Sequence, residues 1–147
     1  MKILMVCLGN ICRSPLAQGI MELHAPADWR IDSAGTSGWH EDERPDTRSI
    51  LIAKERGMAI DHQRSRQVNE EDFETFDIIF AMDSSNYTNL IRLAPNEAAK
   101  AKVRLILNEA YPGENRQVPD PYTGGQSGFR HVYELLEEAV QSFIRKY

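Results

Sequence analysis

An unbroken apolar run, Ile3-Leu4-Met5-Val6, leads directly into Cys7, and Pro15 then opens an amphipathic stretch. Side chains alternate between the two faces of a strand, so four consecutive apolar ones must be covered from both sides. A chain that begins this way needs helices on both faces of its sheet, and the remaining sequence supplies them. From Pro15 to His24, Leu16, Ile20, Met21 and Leu23 follow helical spacing, with Pro15 in the first turn where its missing N–H costs nothing. Trp29 to Ala34 reads as a second strand. Asp46 reads as the cap of a helix that runs through Arg56 and stops at Gly57. Asp77 to Met82 is the clearest internal strand, followed by a helix capped by Asp83 or Ser84, and the run Glu70-Glu71-Asp72 after Asn69 reads as an acidic first helical turn. Val103 to Leu107 is a fourth strand. A last helix, from about Gly128 to Arg145, carries Phe129, Val132, Leu135, Leu136, Val140, Phe143 and Ile144 along one stripe.

Strands alternating with helices imply parallel pairing through right-handed crossovers. The expectation is a three-layer α/β fold in one domain, residues 1–147, with a parallel sheet flanked by helices and Trp29, Phe76, Phe80, Phe129 and Phe143 in its core. Ligands of such sheets bind beyond the carboxyl ends of the strands, where Cys7 lies. The stretch from Asn108 to Ser127, with Pro112, Gly113, Pro119, Pro121, Gly124 and Gly125, is too long to be an idle connection.

Composition narrows the partners. A net charge of −5 argues against nucleic acid and anionic membrane, and any oxyanion site has to be built locally against that sign. No apolar run approaches the roughly 18 residues of a membrane span, and Ile3 to Val6 is too short for a secretory leader, so a cytoplasmic location is expected. The two cysteines, Cys7 and Cys12, are too close in sequence to staple a fold and point to catalytic or redox use in a reducing compartment. Neither has partners at a zinc-binding spacing; no metal and no cofactor is expected.

The segment Cys7-Leu8-Gly9-Asn10-Ile11-Cys12-Arg13-Ser14-Pro15 sets a cysteine, five residues, an arginine and a hydroxyl residue between a strand and a helix. With 12 arginines in 147 residues, the bare cysteine–arginine spacing arises by chance in about one such chain in six. Its position gives it meaning. A five-residue loop between strand and helix curls so that successive N–H groups point inward as an anion nest, and the helix adds its positive end. Gly9 is expected to supply the freedom for this curl, and Asn10 tolerates left-handed geometry. Donors that attract phosphate also favour negative charge on the Cys7 sulfur. Arg13 can hold two phosphate oxygens with its planar fork, and Ser14 can donate to the sulfur and help it leave. Cys12 reads either as a small buried hydrophobe or as a redox guard that forms a reversible disulfide with Cys7.

These residues resemble the signature of the low-molecular-weight protein-tyrosine-phosphatase family, from Val6 through Pro15. Asp32-Ser33-Ala34-Gly35-Thr36-Ser37, Thr75-Phe76-Asp77 leading to Ala81-Met82-Asp83, and Val118-Pro119-Asp120-Pro121-Tyr122 continue the resemblance in order and spacing. It implies a four-stranded parallel sheet with the phosphate-binding loop, Leu8, Gly9, Asn10, Ile11, Cys12 and Ser14, after the first strand. Cys7 would attack phosphorus, Arg13 stabilise the transition state, and Asp120 protonate the leaving phenolate and then activate water. Asn10, Ser14 and Ser33 match positions that hold the loop in shape, although Ser33 alone reads equally as a strand-end hydroxyl bonded to its own backbone. Trp39 and Tyr122 match the walls that stack on an aryl ring. His62 and Gln63 are both candidates for a further loop support, and neither is assigned. Thr123 stands where many members carry a second tyrosine. The implied partners are tyrosine-phosphorylated proteins, with phosphate or similar oxyanions as inhibitors and the chain acting as a monomer or weak dimer.

Three other functions fit the residues less well. An arsenate reductase needs resolving cysteines elsewhere, and no cysteine follows position 12. A silent phosphotyrosine-binding module predicts loss of Cys7, Arg13 or Asp120, and all three are present. A nucleotide P-loop lacks its Gly-Lys-Ser/Thr signature.

Overall fold

The expected alternation of strands and helices is present throughout the computed structural model, which describes residues 1–147. In chain order the elements are β1 (Lys2–Cys7), α1 (Arg13–His24), β2 (Arg30–Gly35), α2 (Thr47–Glu55), α3 (Asp72–Thr75), β3 (Ile78–Ala81), α4 (Ser84–Leu93), α5 (Glu97–Lys100), β4 (Val103–Leu105) and α6 (Gln126–Ile144), with a 3₁₀ turn at Ile106–Glu109. All strand pairs are parallel and the order across the sheet is β2-β1-β3-β4. β1 is therefore interior, paired with β2 on one edge and β3 on the other, and its C-terminal end lies where the chain's crossovers diverge.

The alternation of side chains sorts the sheet into two cores. Ile3, Met5 and Cys7 of β1, with Ile78 and Phe80 of β3, join a cluster built with α1, α2 and α6. Leu4, Val6, Ile79 and Ala81 join a second cluster with Phe73, Phe76, Leu90 and Ala99 on the opposite face. Each large apolar side chain fully buried in this way contributes roughly 1.5–3 kcal/mol relative to exposure, so the sheet is held from both sides. Asp46 caps α2 by accepting from Arg48 N–H at 2.9 Å, and Gly57 beyond its end has φ 81°. Asp83, rather than Ser84, caps α4.

Several boundaries differ from expectation. β4 ends at Leu105 because Ile106 and Leu107 turn into the 3₁₀ segment, which keeps both buried against α6. The last helix begins two residues earlier than expected, at Gln126. The acidic run after Asn69 yields only a single turn, and α5, capped by Asn96, carries no periodicity long enough to read. Trp29 is half-buried rather than core, because it precedes the edge strand and leans edge-on against Phe143 and Tyr147. Leu23 points outward, at 53% exposure, from the last turn of α1. No helix is long and apolar enough to cross a membrane.

Candidate active site

The loop between β1 and α1 turns its carbonyls outward. Cys7 O accepts from Thr36 N–H at 2.9 Å, Leu8 O from Ser37 N–H at 2.9 Å, and Ile11 O from Asp46 N–H at 2.7 Å. Cys12 O accepts from the Ser49 hydroxyl at 3.2 Å. The N–H groups of Leu8 to Ser14, by contrast, donate to no backbone carbonyl of the protein. Carbonyls held from outside and amides left unpaired inside make a nest for an anion, at the positive end of α1. Cys7 forms its floor, 2% exposed, with Sγ 3.1 Å from Ser14 Oγ.

Asn10 is the strut of the loop. Its φ of 58° is the left-handed turn that lets the chain curl. Its side-chain amide donates to Ser14 Oγ at 2.8 Å and to Ser33 Oγ at 3.0 Å, and its carbonyl oxygen accepts from Arg66 N–H at 3.1 Å. The bond from Asn10 leaves the Ser14 hydroxyl hydrogen free for Cys7 Sγ. Ser33 in turn donates to Gln18 Oε1 at 2.7 Å. Neither His62 nor Gln63 bonds to this network: His62 is exposed, and Gln63 donates to Pro15 O at 3.2 Å. Gln18 and the Arg66 amide take the supporting places instead, and sequence pattern gave no signal for either. Arg66 is fixed by two 3.0 Å bonds to Asp72 and one of 3.2 Å to Asp32, so Asp72 is a buried ion-pair partner as well as part of a helical turn.

Gly9 has a different reason from the one expected. Its φ lies outside the left-handed region, and a Cβ there would come within 2.9 Å of His40 Cδ2. Its smallness makes room for His40, which lines the cleft, bonds Glu43 at 2.8 Å through Nδ1, and lies 6.3 Å from the Tyr122 ring.

Arg13 is 3% exposed and is anchored through one nitrogen. Its Nη1 donates to Asp83 Oδ2 at 2.7 Å and to Val118 O at 2.9 Å, which leaves Nε and Nη2 without a hydrogen-bond partner. Burial alone would lower its pKa; the negative charges of Cys7, Asp83 and Asp120 outweigh that and raise it. Asp83 therefore serves twice, its other oxygen capping α4 at 2.8 Å from Asn86 N–H. Val118 N–H donates to Met82 O at 2.8 Å, which brings the following residues over the nest. Asp120 Oδ2 stands 3.8 Å from Arg13 Nη2, with Oδ1 accepting from Tyr122 N–H at 3.0 Å.

Cys7, Leu8, Gly9, Ile11, Cys12, Arg13, Trp39, His40, Asp120 and Tyr122 line one cleft of about 120 Å³. Every residue expected at the nucleophile, clamp, acid and walls is thus brought together; Asn10, Ser14 and Ser33 lie behind the cleft as supports. Trp39 is 75% exposed and Tyr122 49%, which leaves most of the Trp39 ring free. Cys12 is buried, and burial, followed by the charges of Asp46, Cys7 and Asp120, pushes its thiol pKa up, so it stays protonated. No group of three or more His, Cys, Asp or Glu side chains is arranged to hold a metal ion.

A thiol at the floor of an anion nest, beside a buried arginine, is the chemistry of phosphatases that work through a cysteine. Residues 2–146 match the family model described as low molecular weight phosphotyrosine protein phosphatase. The low molecular weight phosphotyrosine protein phosphatase of Schizosaccharomyces pombe is 42% identical over 151 aligned positions, which span 98% of this chain and 95% of the relative. A protein tyrosine phosphatase from Entamoeba histolytica, crystallised with Hepes in its active site, superposes with a TM-score of 0.91 at 42% identity over 99% of this chain and 96% of its own. A Drosophila arginine phosphatase superposes with a TM-score of 0.92 at 32% identity over 100% of this chain and 98% of its own. The chain belongs to the low molecular weight phosphotyrosine protein phosphatase family.

Proposed function

We infer that the chain hydrolyses phosphate esters of phenols, phosphotyrosine in proteins foremost, through a phosphocysteine on Cys7. The observation that carries this is the row of unpaired N–H groups from Leu8 to Ser14, curled around a buried thiol with the free nitrogens of Arg13 beside it. Such an array stabilises the equatorial oxygens of a transferring phosphoryl group, charge that is largest in the transition state. Cys7 Sγ attacks phosphorus as the bond to the aryl oxygen breaks, and Asp120 gives its carboxyl proton to that oxygen. Water then attacks the phosphocysteine, Asp120 accepts a proton, and the sulfur leaves as a thiolate that the Ser14 hydroxyl stabilises from 3.1 Å. The products are the phenol and inorganic phosphate, and phosphate itself competes for the nest.

Trp39 and Tyr122 give the cleft aromatic walls, which favour a flat aryl leaving group and a side chain long enough to reach Cys7 between them. Every group in the mechanism comes from one chain, residues 1–147, so a monomer or weak dimer is competent. Cys7 works as a reduced sulfur, which fits the cytoplasm. Cys12, kept as a thiol, does not compete as nucleophile. Once peroxide converts Cys7 to a sulfenic acid, Cys12 gives up its proton and closes a disulfide with it, releasing water and guarding the sulfur from further oxidation. After peroxide and then reductant, wild type should recover activity and Cys12→Ser should not; equal recovery would remove the guard role.

The function is tested by steady-state kinetics on phosphotyrosine, phosphoserine and phosphoarginine peptides, with p-nitrophenyl phosphate as reference. The expected result is strong preference for phosphotyrosine and loss of turnover in Cys7→Ser, with phosphopeptide binding retained. A preference for phosphoarginine, the reading suggested by the likeness to the Drosophila arginine phosphatase, would overturn the substrate assignment and leave the phosphocysteine chemistry intact.

A further inference from the structure

The segment that carries Asp120 is almost detached from the protein's hydrogen-bonding framework. Val118 is tied to Met82, and α6 starts at Gln126. From Pro119 to Gly124 the only hydrogen bonds to the remainder of the protein are two, both to backbone carbonyls; Gly125 O already accepts from Gly128 N–H in α6. Arg48 Nη2 donates to Tyr122 O at 2.8 Å and Arg48 Nη1 donates to Gly124 O at 2.7 Å. The remaining bonds of the segment, Tyr122 N–H to Asp120 Oδ1 and Gly124 N–H to Pro121 O, are internal to it.

Arg48 is itself locked. Its Nε and Nη2 grip Asp46 Oδ1 and Oδ2 at 3.0 and 2.9 Å, and its guanidinium lies 4.5 Å from the buried ring of Phe129 in the first turn of α6. Its own carbonyl accepts from Gln126 Nε2 at 3.3 Å. The same first turn of α2 holds the phosphate loop, through Asp46 N–H on Ile11 O and the Ser49 hydroxyl on Cys12 O. One helix end thus grips both halves of the site.

We propose that Arg48, locked to Asp46, is a positioning residue that sets the distance between Asp120 and the leaving group by fixing the acid-bearing segment to the helix end that holds the phosphate loop. Arg48 lies outside the cleft lining and acts on the reaction through the segment it holds, which carries Asp120 and the Tyr122 wall; dependence on the leaving group separates the first from the second. The proposal rests on the reading of Asp120 as the general acid. A planar fork suits the task, because it spans two carbonyls and a carboxylate at once, which an ammonium does not. The chemistry predicts a particular signature. A misplaced acid matters little when the departing phenolate is stable and matters greatly when it is not.

The test is kcat/KM across a series of aryl phosphates, from p-nitrophenyl phosphate to phenyl phosphate, for wild type, Arg48→Gln, Arg48→Lys, Asp120→Asn and the double variant Arg48→Gln/Asp120→Asn. Inhibition by inorganic phosphate is measured in parallel, and thermal melts establish that each variant is folded. Displacing the acid should cost Arg48→Gln about tenfold or more on phenyl phosphate and only a few-fold on p-nitrophenyl phosphate. Arg48→Lys, which keeps the charge and loses the fork, should show the same slope in milder form and stands in if the Gln variant does not fold. Phosphate inhibition should be unchanged, and the double variant should be no slower than Asp120→Asn alone. Losses equal across the series, weakened phosphate inhibition in the same proportion, or additive losses in the double variant would each show Arg48 to be packing alone. If Asp120→Asn itself loses activity equally on every substrate, the acid assignment fails, and the positioning role falls with it for a distinguishable reason.

Discussion

Asn10 holds together what Cys7 and Arg13 need from the five residues between them. It alone in the loop takes the left-handed turn, and its side chain ties Ser14, Ser33 and the Arg66 amide to one point. Asn10→Ala places an alanine at φ 58° and strands buried partners, so the cost should be about 2–4 kcal/mol, a fall in melting temperature of roughly 5–15 °C, with kcat lowered in proportion to loop disorder. Asp83 tests the clamp. Asparagine caps a helix as well as aspartate, so Asp83→Asn keeps α4 and removes the charge that holds Arg13 Nη1. The expected outcome is about a tenfold lower kcat/KM, about 1.4 kcal/mol of transition-state stabilisation, with an unchanged helical circular-dichroism signal. The left-handed tolerance of Asn10 was legible, because Asn carries that preference in any sequence. The smallness required at Gly9 was not, since its cause is His40, a residue on another loop.

At the scale of elements, α2 has a pH dependence of its own. Hydrogen bonds from the Arg48 side chain hold the pKa of Asp46 below the usual carboxylate range, against the opposing effect of partial burial. A carboxylate whose folded pKa is depressed contributes stability that is fully present above its unfolded pKa, near 3.9, and is lost as pH falls through the lower folded value. Urea midpoints should therefore differ between wild type and Asp46→Asn by a constant amount near neutrality, and the difference should shrink only below about pH 4. A gap that closed between pH 7 and 5 would assign the effect to another group. The long elements were readable from periodicity and caps: the apolar stripe of α6, the continuous run of β1, Asp46 before α2. The short ones were not. α3 was legible only as the acidic turn after Asn69, not in its four-residue length; α5, equally short, had too few residues for a pattern, and β4 lost its last residues to a 3₁₀ turn that burial alone does not distinguish from a strand.

Across the whole molecule, the two faces of the sheet follow from the alternation in β1, and α6 closes the larger core. Phe143 is fully buried, with its ring 5.3 Å from Phe80 and 6.1 Å from Trp29. Phe143→Ala should cost about 3–5 kcal/mol and lower the melting temperature by roughly 10 °C, read by a thermal melt at neutral pH. At this scale the sequence announced the nucleophile loop, whose parts are contiguous, and announced Asp120 only through resemblance, since nothing local connects residue 120 to residue 7. The contacts that join them, Val118 to Arg13 and Arg48 to the Tyr122 and Gly124 carbonyls, are backbone acceptors that any residue type would provide. That arrangement has a consequence for the chain as it is made. The complete cysteine–arginine motif is synthesised before residue 118, whose carbonyl orients Arg13, and before the helix that buries α1. A nascent chain therefore carries the thiol and the arginine before it carries the acceptor that orients them, and hydrolysis should appear only after the last helix has docked.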